Sequence, residues 1–170
     1  ELLTQCEQDM RGMLESAVEQ FQRAMIFCPD SVKTYSNLGT VYFQLGRQEE
    51  GKEMFLKARS MAGDREELLR FLFLVFRSLG VQGLNEETKE GYGRAVEMFQ
   101  QATTFERPQE EMATIYFNMG VAYRGIADNS EGAEKESALE NAIASYRKVL
   151  DINPVDQEAL ENLAFIYEDK

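Results

Sequence analysis

Two stretches carry residue types that could do chemistry. Gly91-Tyr92-Gly93 has the glycines of a phosphate-cradling loop, and Asp128-Asn129-Ser130-Glu131-Gly132 has the oxygen donors of a calcium loop. A phosphate loop follows a strand and continues into Gly-Lys-Ser/Thr. Neither surrounds Gly91, so these glycines are expected at a helix start or in an insertion. A calcium loop turns on a glycine at its sixth place and closes on a glutamate at its twelfth. Here the glycine arrives fifth and the closing glutamate is missing, which leaves a solvated acidic insertion. The chain has no histidine, which removes the commonest general base and the commonest metal ligand together. Its 30 acidic residues offer many carboxylate pairs, but no apolar setting or partner base singles one out. No catalytic constellation, metal or cofactor is expected.

The composition narrows the class further. A chain of 170 residues, 44% hydrophobic and 28% charged, has the make-up of a folded domain. A net charge of -12 argues against nucleic acid, where binding begins with basic side chains on phosphates. The longest apolar run, Phe71-Leu72-Phe73-Leu74-Val75-Phe76, is far below the roughly 20 residues that span a bilayer. No leader is visible, and the start on Glu1 without an initiator Met leads to the expectation of an excised fragment, from which a targeting sequence would be missing. A cytoplasmic location is the default expectation. Cys6 and Cys28 are too few for a disulfide framework and are expected as buried, reduced thiols, with a single bridge as the alternative.

What positions the remaining residues is a repeat. Tyr35-x2-Leu38-Gly39-x2-Tyr42 returns as Tyr116-x2-Met119-Gly120-x2-Tyr123 and as Leu160-x2-Leu163-Ala164-x2-Tyr167. A second pattern, small-x3-aromatic, alternates with it at Ala17/Phe21, Gly51/Phe55, Ala95/Phe99 and Ala142/Tyr146. Pro29 and Pro154 each close a unit, twelve residues after Ala17 and Ala142, and Pro108 lies one residue beyond that spacing from Ala95. These residues resemble the tetratricopeptide repeat over nearly the whole chain. The resemblance implies an all-α fold, a right-handed α-solenoid of stacked antiparallel helix pairs. Small residues at Gly39, Ala95, Gly120 and Ala142 would let paired helices approach, and neighbours must stack to bury the apolar faces.

The expected layout is one continuous domain, 1–170. A partial unit covers 1–31, with units at 32–65, 66–112 and 113–156 and a closing part at 157–170. Its helices are 13–28, the pairs 32–45/48–61, 65–79/87–105 and 112–126/136–152, and a lone 156–168. Residues 1–11 are assigned to the first unit's opening helix, whose pattern they match poorly. Two stretches of ten extra residues, Val81–Glu90 and Asp128–Ser137, are expected to lengthen the second helices. In the second unit Phe73 takes the place of Gly39 and Gly120, so its helices should pack less closely. Helix 65–79 is apolar on nearly every side, as a helix buried between layers or beneath a partner would be.

By the same resemblance the first helices line a concave groove for a peptide segment. Its inward positions are Lys33, Ser36, Thr40, Phe43 and Gln44, then Glu67, Arg70, Leu74, Arg77 and Ser78, then Thr114, Phe117, Val121, Arg124 and Gly125. Four of these are basic and one acidic, against the sign of the whole chain. The expected groove residues are therefore Lys33, Thr40, Phe43, Arg70, Leu74, Arg77, Phe117, Val121 and Arg124. The carboxylate clamp of a chaperone-binding subclass is absent, because its places hold Ser36, Thr40, Phe71, Thr114 and Asn118. The expected function is a non-enzymatic adaptor or scaffold that holds an acidic or amphipathic segment of a protein partner. Alternatives are a homo-oligomer through the C-terminal helix, where Leu160, Leu163, Ile166 and Tyr167 lack a covering helix, or the regulatory array of a larger enzyme.

Overall fold

Side-chain caps open three of the helices. Ser31 caps α2 (Val32–Gln44), its Oγ accepting from the Thr34 N–H at 3.3 Å, and the chain leaves the helix through Gly46 at φ +77. Thr88 caps α5 (Lys89–Ala102) by accepting from the Gly91 N–H at 3.0 Å, so Gly91 does mark a helix start. Asp156 Oδ1 accepts from the Ala159 N–H at 3.0 Å and opens α8 (Gln157–Glu168). The other helices are α1 (Leu2–Phe27), α3 (Gln48–Ala62), α4 (Glu66–Asn85), α6 (Gln109–Asp128) and α7 (Gly132–Ile152). This computed structural model describes residues 2–168, with side chains from Gln8 onward, and among them there is no strand. The fold is all-α, built of stacked antiparallel helix pairs.

The chain forms two compact units, Glu1–Val75 and Phe76–Lys170. In the first, Val18 of α1 packs with Leu38, Val41 and Tyr42 of α2, while α2 pairs with α3. In the second, α6 packs against both α5 and α7, and α7 against α8. Its core includes Leu139, Ile143, Tyr146 and Val149 of α7 with Leu163 and Ile166 of α8.

Close approach at small residues organises every pair. A Cβ on Gly39 would stand 3.0 Å from the Phe55 ring, and one on Gly120 would stand 2.6 Å from the Tyr146 ring. The α4–α5 pair makes the same contact through Gly80, whose Cβ would lie 2.5 Å from the Phe99 ring. So the expectation that Phe73 keeps these helices apart is corrected. Phe73 is fully buried, and the repeat frame of α4 runs through Phe76-x2-Leu79-Gly80, seven residues further on. Gly80 and Ala95 are 15 residues apart, against 12 for Gly39 and Gly51. Most of the first insertion therefore lies before Gly80, as two added turns at the start of α4.

Both insertions lengthen helices, with a correction to which. The first lengthens α4, a first helix, and the second opens α7, which starts ten residues before Ala142. Residues 2–11 do not form a separate opening helix but continue α1 without a break through Gly12, which stays helical. Cys28 is exposed rather than buried, standing just past α1 where Pro29 and Asp30 turn the chain toward α2. The Cys6 side chain lies outside the described residues.

Candidate functional site

The expected groove residues fall into two groups. Lys33, Thr40 and Phe43 on α2, with Arg70 and Leu74 on α4, belong to the first unit. Arg77 on α4, with Phe117, Val121 and Arg124 on α6, belongs to the second.

In the first unit Lys33, Arg70 and Leu74 are exposed, and neither Lys33 nor Arg70 has an ion-pair partner among the described residues. Thr40 is half-buried, and its hydroxyl donates to the Ser36 carbonyl at 3.1 Å, so that donor is committed within the helix. Phe43 is half-buried with its ring 5.7 Å from that of Phe55, and it fills the space beside Gly51. Much of its surface serves the helix pair. Ser36 is fully buried and cannot face a groove.

In the second unit the side chains are more ordered by one another. Arg124 Nη1 donates to Asn162 Oδ1 at 2.6 Å, and its guanidinium lies 5.0 Å over the Phe165 ring. A helix residue on α8 thus holds the arginine of α6 in place while leaving its other donors available. Phe117 is half-buried and meets Tyr146 edge-on, centroids 5.6 Å apart. Arg77 is exposed and has no ion-pair partner among the described residues. Gly125 is buried beneath the Tyr92 ring and is not a groove position.

The Gly80 frame changes which residues stand at matching places. Arg77 corresponds to Phe117, and Val81 to Val121 and Phe165. Val81 is 39% exposed and Phe165 50%, so both are surface apolar residues that the sequence frame missed. Phe76-x2-Leu79-Gly80 is the signal that would have found Val81. Arg70 lies in the added turns of α4, where its counterpart on α6 is the acidic Glu110 and α2 and α8 have none.

On α8 the uncovered face is narrower than expected. Leu163 and Ile166 are buried against α7 and Ala159 with them, a correction to their assignment as uncovered. Leu160, Phe165 and Tyr167 are the large apolar residues that this helix exposes. Among the described residues no three His, Cys, Asp or Glu side chains are placed to hold a metal ion, and no helix is long and apolar enough to cross a membrane.

Comparison with known proteins bears on the same elements. A family model described as TPR repeat matches residues 11–46, and one described as tetratricopeptide repeat matches residues 32–64 and 133–156. These matches take in most of α1, all of α2 and α3, and nearly all of α7, while α4, α5, α6 and α8 lie outside them. The photosystem I assembly protein Ycf3 of Synechococcus sp. (strain CC9605) is 31% identical over 86 residues, 51% of this chain. That match spans 44% of the relative's own length, so the chain covers less than half of it.

Proposed function

Since the chain belongs to the tetratricopeptide repeat family, we propose that it is a non-catalytic scaffold whose first helices hold an acidic, amphipathic segment of another protein. The observation that carries this reading is the arginine pair of the second unit. In a chain of net charge -12, Arg77 stands one turn from the apolar Val81 on α4, and Arg124 stands on α6 with Phe117 and Val121 and over the Phe165 ring of α8. Lys33, Thr40, Phe43, Arg70 and Leu74 are proposed to form a binding surface of the first unit's own, with residues 1–170 proposed as one repeat domain. Apolar contacts would supply most of the affinity, and the arginines mainly register and association rate. An assembly factor, as the Ycf3 relative is named, is one kind of scaffold. We carry over the scaffold and not its photosystem.

The test uses an acetylated, amidated decapeptide alternating Glu with Leu. Exposed charge contacts contribute about 0–1 kcal/mol each, so a single Arg→Ala change should be mild. Arg77→Glu combined with Arg124→Glu should weaken binding by about tenfold or more and flatten its salt dependence. Unchanged affinity and salt dependence in that double variant would place the partner elsewhere.

A second reading, self-assembly through α8, is favoured by the exposure of Leu160 at 46% and Tyr167 at 50%. On that reading Leu160→Glu converts an oligomer to a monomer in sedimentation velocity at several concentrations. A wild-type chain that is monomeric at high concentration removes it.

A further inference from the structure

In the second unit the start of α6, the end of α7 and the start of α8 enclose an open cleft of about 360 Å³. Its floor is apolar, made by Phe117, Val149 and Ile152. Its lip is acidic, with Glu110 on α6, Asp156 just before α8 and Glu158 in the first turn of α8. No basic residue lines it. Acids in a helix's first turn are favoured by the helix dipole whatever they bind, so the lip alone marks nothing. Glu111, beside Glu110, illustrates the ordinary case, because it is paired with Arg107. Glu110 and Glu158 have no ion-pair partner among the described residues, and both are exposed. Asp156 is already engaged, capping α8 and accepting from the Asn153 side-chain amide at 3.3 Å.

An apolar floor beneath an unpaired acidic lip asks for a group that is apolar along its length and cationic at its end. Among protein side chains that describes lysine and arginine, whose methylene stems lie along apolar surface while the head stays in water. The volume lies at the low end of ligand pockets and suits one or two side chains. A guanidinium above Phe117 would add a cation–π contact. We propose that this cleft takes a lysine or arginine of a partner segment, its stem on Phe117 and Val149 and its head between Glu110 and Glu158. The inference rests on the scaffold reading above but not on the arginine pair. Together the two make the second unit a two-signed surface, acidic at the starts of α6 and α8 and basic at Arg124.

The experiment titrates isotope-labelled protein with N-acetyl-Leu-Arg-Leu-amide and follows backbone amide shifts. The neutral analogue with citrulline in place of arginine is the control. Expected are saturable shifts centred on Ala113, Thr114 and Asn153, with citrulline bound at least about fivefold more weakly. Glu110→Gln combined with Glu158→Gln should weaken the arginine peptide by about tenfold and leave the citrulline peptide unchanged. Both glutamates are exposed, so the variant keeps its fold, which its unchanged melting curve would verify. Equal binding of the two peptides, shifts scattered over the acidic surface without saturation, or a double glutamine variant with wild-type affinity would each overturn the proposal. Arg77→Glu with Arg124→Glu should leave this binding intact, so loss of the acidic-segment reading and loss of this one are separable.

Discussion

In the α2–α3 pair the glycine that admits an aromatic ring, Gly39, comes seven residues after the helix starts. In the α4–α5 pair its counterpart Gly80 comes fourteen residues after. The contact is the same: a bare backbone against Phe55 in one pair and Phe99 in the other. The difference teaches how a repeat tolerates insertion. Seven residues make almost two helical turns at 3.6 per turn, so extra turns before Gly80 leave every later side chain on its original face. The helix grows along its axis while its packing stripe is preserved. The α4–α5 pair goes further, since Gly83 and Gly91 also face each other. A Cβ on Gly83 would lie 2.7 Å from the Gly91 carbonyl oxygen and 2.9 Å from the Ala95 nitrogen.

That difference sets the order of sensitivity to adding one methyl group. Gly83→Ala should be the most damaging, because its obstacles are backbone atoms that can move only with α5 as a whole. An overpacking cost of about 1–3 kcal/mol is expected, read as a lower denaturant midpoint with an unchanged slope. Gly80→Ala should cost less, because the Phe99 ring can tilt, although its complete burial limits the movement. Gly39→Ala should be milder again, with its nearest atom at 3.0 Å. Gly93, in α5 with nothing within 4 Å of its added Cβ, should show the opposite sign. Gly93→Ala should stabilise by about 0.5–1 kcal/mol through helix propensity. If Gly83→Ala proved as benign as Gly93→Ala, the close α4–α5 crossing would be wrong.

The same two-turn arithmetic explains what was and was not legible in the sequence. Helix pairs, their order and the rings against small residues follow from the alternation of Tyr35-x2-Leu38-Gly39 with Gly51-x3-Phe55 and its returns. Which face α4 buries was also legible. Its position along its own axis was not, because a shift of seven residues leaves the periodic pattern nearly unchanged. Only the identity of Phe76, Leu79 and Gly80 distinguishes the two frames. The groove suffers from the same ambiguity, so Arg77 kept its face but changed its counterpart, and Val81 went unnoticed. Phe43 shows a different limit. A half-buried aromatic beside Gly51 looks like a ligand-facing residue until the partner helix is in place. The cleft at the starts of α6 and α8 had no linear signature, because Phe117 and Ile152 meet Glu158 only after three helices have packed.

The third pair differs from the other two by one oxygen, and removing it gives the smallest predicted effect. Phe55 and Phe99 lie on Gly39 and Gly80, whereas the ring on Gly120 is that of Tyr146. Its hydroxyl is buried and has no hydrogen-bond partner among the described residues. Burial pushes the Tyr146 pKa up to about 12, with nearby Arg124 lowering it and Asp128 raising it. Above pH 10 the unfolded chain loses this proton while the folded chain keeps it, so stability must fall as pH rises from about 10 toward 12. Tyr146→Phe should remove that alkaline loss. Near neutral pH it should be neutral or stabilising by about 1 kcal/mol, because an unsatisfied buried hydroxyl costs its desolvation and returns no bond. Comparing the two melting curves at pH 7 and pH 11 tests both parts at once. A variant less stable than wild type at pH 7, with the same alkaline loss, would mean that the hydroxyl has a partner and that the third pair is held differently from the first two.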